Sequence, residues 1–298
     1  MEANRILNNL ISGSVGPVMI LVTIIVMVWY AGAVYLNSSF LIDRYEKNNV
    51  NWSFSKLASD SWSMERPVLP SPHQVAKELK RTIWDKKITS KHSLVFHSGV
   101  TLSSAMLGFA MGTFLGILLS VGIVYVPALD RTLMPWIIAS QTIPILAIAP
   151  MIVVVLGSMG IVGLFPKATI STYLCFFPVV VGMVKGLRSP DKILLDLMNS
   201  YSASKVQVFW KLRMPASIPF LFASLKIAIA LSIVGAIVAE LPAGAQAGLG
   251  ARLLSGSYYG QTSLIWAALL TASAVSATLV SVVGRMEQSI IKRMGLQT

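Results

Sequence analysis

The chain has 298 residues, 55% of them hydrophobic and only 12% charged, with mean hydropathy +0.71. A soluble domain carries about 25% charged residues, so this composition excludes an ordinary soluble protein and indicates a polytopic membrane protein. The net charge of +12 would suggest nucleic acid in a soluble chain. Here the basic residues lie between apolar stretches, so bilayer orientation and anionic headgroups explain them and no nucleic-acid partner is expected.

Six apolar stretches are long enough to cross, since about 20 residues span the hydrocarbon. They lie at about 17–36, 102–126, 133–156, 167–187, 218–240 and 263–284. Ala31-Gly32-Ala33 resembles a signal-peptidase site. The weakly basic start, with Arg5 alone, and the apolar run through Tyr35 and Leu36 favour a retained span. Between the first two spans, Pro67, Pro70 and Pro72 break the chain before VAKELKRTIW (75–84). Val75, Leu79, Ile83 and Trp84 recur there at helical spacing, which reads as an interfacial amphipathic helix or a solvated surface helix. His73, His92 and His97 show no ligand spacing and read as surface residues.

The second span carries Gly108, Gly112 and Gly116 on one face, which lets a neighbouring helix approach closely. Lone Cys175, in the fourth, has no disulfide partner and reads as packing. The third span is broken by Pro144 and Pro150, with Gln141 and Thr142 just before the first. Proline in a membrane helix frees carbonyls that neighbours or a water-lined cavity must satisfy. Gln141, Thr142 and Pro144 are therefore candidate pathway residues, the alternative being a kink that only shapes the bundle. The fifth span holds Lys226, positioned to snorkel, and ends at Glu240. Glu240 stands at the outer mouth, where it faces a partner protein, lines a gate, or has no special role. The Gly-rich stretch 241–261 is too broken for a continuous helix, and Leu249 to Leu254 forms at most a short re-entrant one.

Lys and Arg set the orientation. With the N-terminus inside, the cytoplasmic side holds Arg5, Arg131, Lys185, Arg188, Lys192, Lys205, Lys211, Arg213, Arg285, Lys292 and Arg293, against Lys167 and Arg252 in the short outer loops. This bias puts both termini in the cytoplasm. The polar segment DLMNSYSASKVQVFWKLRMP (196–215) then lies inside. Ser189-Pro190 reads as the start of a short helix on which Ile193, Leu194, Leu197, Met198 and Tyr201 share an apolar face. Ser202 is expected to cap a second helix that Pro215 ends.

That segment resembles the coupling loop of binding-protein-dependent ABC importer permeases, which reads E-A-A, three residues, G, nine residues, I-x-L-P. Asp196 stands for the Glu, Leu197 and Met198 for the alanines, and Ser202 for the Gly; Leu212, Met214 and Pro215 fall in register with I, L and P. LPSPHQV (69–75), PILAIAP (144–150), FFPVVVGMVKG (176–186) and AELPAGAQAGLG (239–250) resemble the nitrate/sulfonate/taurine branch. The resemblance covers roughly residues 67–285.

It implies an all-α, type I permease-like fold of about six transmembrane helices with a cytoplasmic coupling-helix loop at about 189–215. Residues 1–66 would be an N-terminal span with an external segment, and 67–298 the permease core. Asp196, Leu197, Met198, Tyr201, Ser202 and Pro215 would couple to an ATPase. The function implied is inward movement of a small polar solute of the nitrate, sulfonate/taurine or pyrimidine/flavin class across the cytoplasmic (inner) membrane. The partners implied are ABC ATPase subunits, a periplasmic or extracellular solute-binding protein and a second permease copy, as a homodimer. The chain contains no Gly-Lys dipeptide and hence no G-x4-G-K-[ST] loop. It is therefore expected not to be an enzyme and to hold no cofactor, ATP and Mg belonging to the partner. The rivals are a stand-alone secondary transporter or channel, which calls for ionisable relays within the spans, and a membrane enzyme, which calls for a convergent acid/base set.

Overall fold

A computed structural model describes residues 15–242 and 245–295. The orientation signal from Arg5, and Ala243-Gly244 of the Gly-rich stretch, lie outside the described residues. Every regular element among the described residues is helical. The described residues cluster into two compact units, one of those up to 88 with 253–269, and one of those from 89 to 252 with those from 270 onward.

In the first unit, α1 (Val15–Lys47) runs unbroken through Ala31–Ala33. At about 1.5 Å per residue its 33 residues reach about 50 Å, well beyond the ~30 Å hydrocarbon core. The segment 17–36 is thus the apolar part of a longer rod. Asn37, buried in α1, fixes the proline-rich return: its amide donates to the Leu69 carbonyl (3.0 Å) and its Oδ1 accepts from the Val68 N–H (2.7 Å). The indole of Trp29 donates to the Pro70 carbonyl at 2.9 Å. Helix α2 (Phe54–Ser63) packs on α1 through Leu57 against Leu41 and Tyr45. Helix α3 (Pro72–Ile83) starts at a Ser71/Gln74 capping box, buries Val75, and leaves Trp84 exposed just past its end.

The second unit is built on three rods: α4 (Leu94–Tyr125), α7 (Leu164–Leu187) and α10 (Met214–Ala239). The glycine face of α4 does what its spacing predicts. A Cβ on Gly108 would lie 2.4 Å from Ser171 Cβ, on Gly112 2.4 Å from Cys175 Sγ, and on Gly116 2.7 Å from Val179. Those gaps are too short for any side chain, so α4 and α7 meet backbone to backbone. Gly182 and Gly186 repeat the device toward Ser224 and Ser217 of α10. Dispersion and polar contacts hold such interfaces in lipid, where apolar burial gives no net gain.

The span expected at 133–156 is broken at Pro144 as its sequence suggests, but into two separate helices, α5 (Pro127–Ser140) and α6 (Ile145–Ser158), bent by 100°. The break falls at Gln141–Pro144. Proline has no N–H to donate and pushes the residue before it out of the helical region, so the helix ends there. Pro150 lies inside α6 and does not end it. The re-entrant helix is longer than expected, α11 (Leu249–Tyr258), and α12 (Thr262–Arg293) closes the chain. Among the described residues, five helices are long and apolar enough to cross a membrane, or six spans if the bent pair counts as one.

Candidate functional site

At one end of the second unit, the chain leaves α7 and forms α8 (Lys192–Ser200). Asp191 is its N-cap residue, so the helix starts two residues later than Ser189-Pro190 suggests. Ile193 is 80% exposed and Tyr201 79%, with Leu194 and Leu197 also exposed beside them. Met198 is half-buried and Asp196 exposed, so the apolar face is narrower than expected. Half-buried Leu195 and exposed Asn199 line a small cavity with Tyr125 and Arg213.

Ser202 does not cap the next helix. It adopts φ +52°, the left-handed conformation that the family's glycine would supply at no steric penalty. The cap falls to Ser204, whose hydroxyl accepts from Gln207 N–H while the Gln207 side chain accepts from Ser204 N–H at 2.8 Å. Nor does Pro215 end the following helix. α9 (Lys205–Val208) runs through a π turn, Phe209–Arg213, directly into α10. Met214 N–H bonds Phe209 five residues back, and this wider turn sits where the Pro215 ring would crowd the preceding carbonyl.

The basic residues of this end hold it together. Arg213 donates to the Leu187 carbonyl at 2.8 Å with its guanidinium 5.8 Å over the Tyr125 ring. Arg188 pairs with Asp130 at 2.9 Å, joining the ends of α5 and α7.

The break residues Thr142, Ile143 and Pro144 are exposed and Gln141 half-buried. The Thr142 hydroxyl donates to the Ala139 carbonyl at 2.8 Å and the Gln141 amide to the Ser140 hydroxyl at 3.3 Å. Lys226 does not snorkel alone. Its ammonium meets Glu287 of α12 at 2.7 Å, a pairing the sequence does not reveal.

At the opposite end of the unit, Glu240 follows α10 and is fully buried rather than standing at an open mouth. It accepts from the Thr101 hydroxyl (2.9 Å) and the Gly250 N–H (2.9 Å), and lies 3.5 Å from the Lys167 ammonium. Thr101 in turn accepts from Leu249 N–H (2.8 Å), and Lys167 donates to the Ala247 carbonyl (3.0 Å). His97 is also buried, 3% exposed, contrary to its reading as a surface residue. Its Nδ1 accepts from Gly248 N–H (2.9 Å) and its Nε2 faces the Lys91 carbonyl (2.9 Å), which fits the neutral Nε2–H tautomer. The glycines are obligatory: Gly248 has φ +125°, and a Cβ there or on Gly250 would strike Glu240. Three elements, α4, α7 and the end of α10, thus pin residues 247–250 around one carboxylate. Of the pathway candidates, Gln141, Thr142 and Pro144 lie together, and Glu240 stands apart from them in this clasp.

The family "Binding-protein-dependent transport system inner membrane component" matches residues 112–296. The chain belongs to this family. It is an ABC importer permease subunit and a multi-pass membrane protein. The permease is 30% identical over 212 residues to a probable ABC transporter permease protein of Haemophilus influenzae, covering 71% of this chain and 81% of the relative. It is 34% identical over 184 residues to the formylaminopyrimidine transport permease ThiX of Halalkalibacterium halodurans, covering 61% and 68%. It is 29% identical over 225 residues to the riboflavin transport system permease RibX of Chloroflexus aurantiacus, covering 76% and 80%.

Proposed function

We propose that this permease, as a homodimer in the cytoplasmic membrane, moves a small polar solute inward, driven by ATPase subunits that grip α8. The observation that carries the reading is the exposed apolar face of α8, on a short helix between two membrane-spanning rods. A helix face of this kind typically docks into a partner's groove. Charge bias favours both termini in the cytoplasm, on the same side as α8. The permease core runs from about residue 67 onward. ATP and Mg are handled on the partner, and this chain holds no cofactor. A soluble binding protein delivers the solute at the outer face.

The exposed break at Gln141–Pro144 lines the route between the two copies. Polar groups beside a helix break suit contact with a solute that has left water. The solute class is that named for the relatives, a pyrimidine, a flavin, a sulfonate or taurine, or nitrate, which the sequence resemblance adds. The clasp around Glu240 holds the outer end of the route in register.

Proteoliposomes carrying the permease with its ATPase and binding protein test this. Uptake should require ATP and the binding protein, and Gln141→Trp or Thr142→Trp should slow it while leaving the complex assembled. Uptake without ATP would contradict the reading, and unchanged uptake in both Trp variants would remove those two residues from the route.

A further inference from the structure

We propose that the N-terminal unit binds one bilayer phospholipid, its acyl chain lying in an apolar groove between α1 and α2. The groove lies outside the segment that matches the family, 112–296, and depends on α1 crossing the membrane but not on the transport reading. Its volume is about 900 Å³, within the roughly 300–1,000 Å³ of sites that take a small ligand. Tyr30, Val34 and Ile42 of α1 and Phe54, Leu57 and Trp62 of α2 form its walls. From Met27 to Ile42 the lining runs along about 22 Å of helix, giving a slot rather than a bowl.

Continuity with the bilayer identifies the occupant. The apolar residues of α1 from Val18 to Val28 are exposed, and Met27, 65% exposed, belongs both to that surface and to the groove. A chain in the bilayer therefore enters without crossing any polar rim. Because α1 is about 20 Å longer than the hydrocarbon is thick, the groove extends from acyl-chain depth toward the headgroups.

The chemistry changes in the same direction. His73 lies at the edge, its Nδ1 3.2 Å from the Tyr30 hydroxyl and its ring stacked on Tyr30, and Ser38 adds a second hydroxyl. Exposed Tyr35, Trp52, Phe54 and Trp84 supply the aromatic side chains favoured at a membrane boundary. Residues 37–88 carry nine Lys and Arg against six Asp and Glu, a surplus of cations that can pair with a headgroup phosphate. A water-filled vestibule does not fit so apolar a lining.

The test uses the full-length permease complex. Native mass spectrometry after detergent exchange should show one retained phospholipid per permease chain. Val34→Trp and Ala31→Trp, which fill the groove from exposed or half-buried positions, should lose it while the complex stays intact. A bimane on Ala31→Cys, in a Cys175→Ala background in nanodiscs, locates the occupant. Phospholipid brominated along its acyl chains should remove most of the fluorescence, and aqueous iodide little. Three results would overturn the proposal: no retained phospholipid in the wild type, retention unchanged in both Trp variants, or a bimane shielded from bromine, which would mean that water or a protein segment fills the groove.

Discussion

Removing the Glu240 carboxylate should release the loop that it clasps. In Glu240→Ala the Gly250 N–H and the Thr101 hydroxyl lose their acceptor, and the Lys167 ammonium loses its counter-charge. Breaking a buried pair by deleting one partner costs about 3–5 kcal/mol. Each 1.4 kcal/mol is tenfold in an equilibrium, so local opening of residues 247–250 should rise by about a hundredfold to several thousandfold. Leu249, fully buried with its N–H on Thr101, is the reporter. A Leu249→Cys probe in a Cys175→Ala background should react slowly with a membrane-permeant maleimide in the otherwise wild-type chain and much faster with Glu240→Ala. Thr101→Val strands the Leu249 N–H and should accelerate labelling less, in line with about 1–3 kcal/mol for one unsatisfied buried group. Glu240→Gln keeps an acceptor and should fall between. Labelling of Glu240→Ala at the parental rate would show that packing alone holds the loop.

Gly112→Ala should destabilise the permease by about 1–3 kcal/mol through overpacking, and Cys175→Ala should restore much of it because Cys175 Sγ is the nearest clashing atom; thermal unfolding in detergent reports both. Lys226→Met should lower thermostability by roughly 1–3 kcal/mol by stranding Glu287, and Lys226→Met/Glu287→Leu should be less harmful than the single change. Ser202→Gly should raise stability slightly, by up to about 1 kcal/mol, whereas Ser202→Val at φ +52° should reduce it; the reverse order in thermal unfolding would contradict the left-handed turn.

Much of the fold is legible in the sequence because lipid imposes simple rules. Apolar length marks the rods, and the Gly108/Gly112/Gly116 spacing marks the α4–α7 contact. The misses have two physical sources. Local backbone choices depend on what surrounds them: Ser202 takes a glycine's geometry instead of capping, and a π turn carries the helix through Pro215. Long-range polar pairs leave no local pattern. Lys226 gives no hint of Glu287, 61 residues on, nor Glu240 of Thr101, 139 residues before it. His97 looks like a surface residue because its acceptor role depends on Gly248, which a distant loop delivers. The segment 196–215 is readable by motif spacing, but which of its apolar residues face outward becomes clear only once α8 is placed.

Docking of α8 is tested most directly by putting charge on its exposed face. Leu197→Asp and Ile193→Asp should still insert, because α8 lies outside the membrane-spanning rods. Each places an uncompensated charge in the docked groove, at several kcal/mol even after relaxation. Association with the ATPase should weaken about a hundredfold or more, while Lys192→Ala has little effect. The measurement is ATPase co-purification with the full-length permease, alongside transport. Loss of both in the two charged variants is the predicted result; wild-type levels of both would show that α8 docks nothing, and would contradict the assignment of this loop as the coupling element.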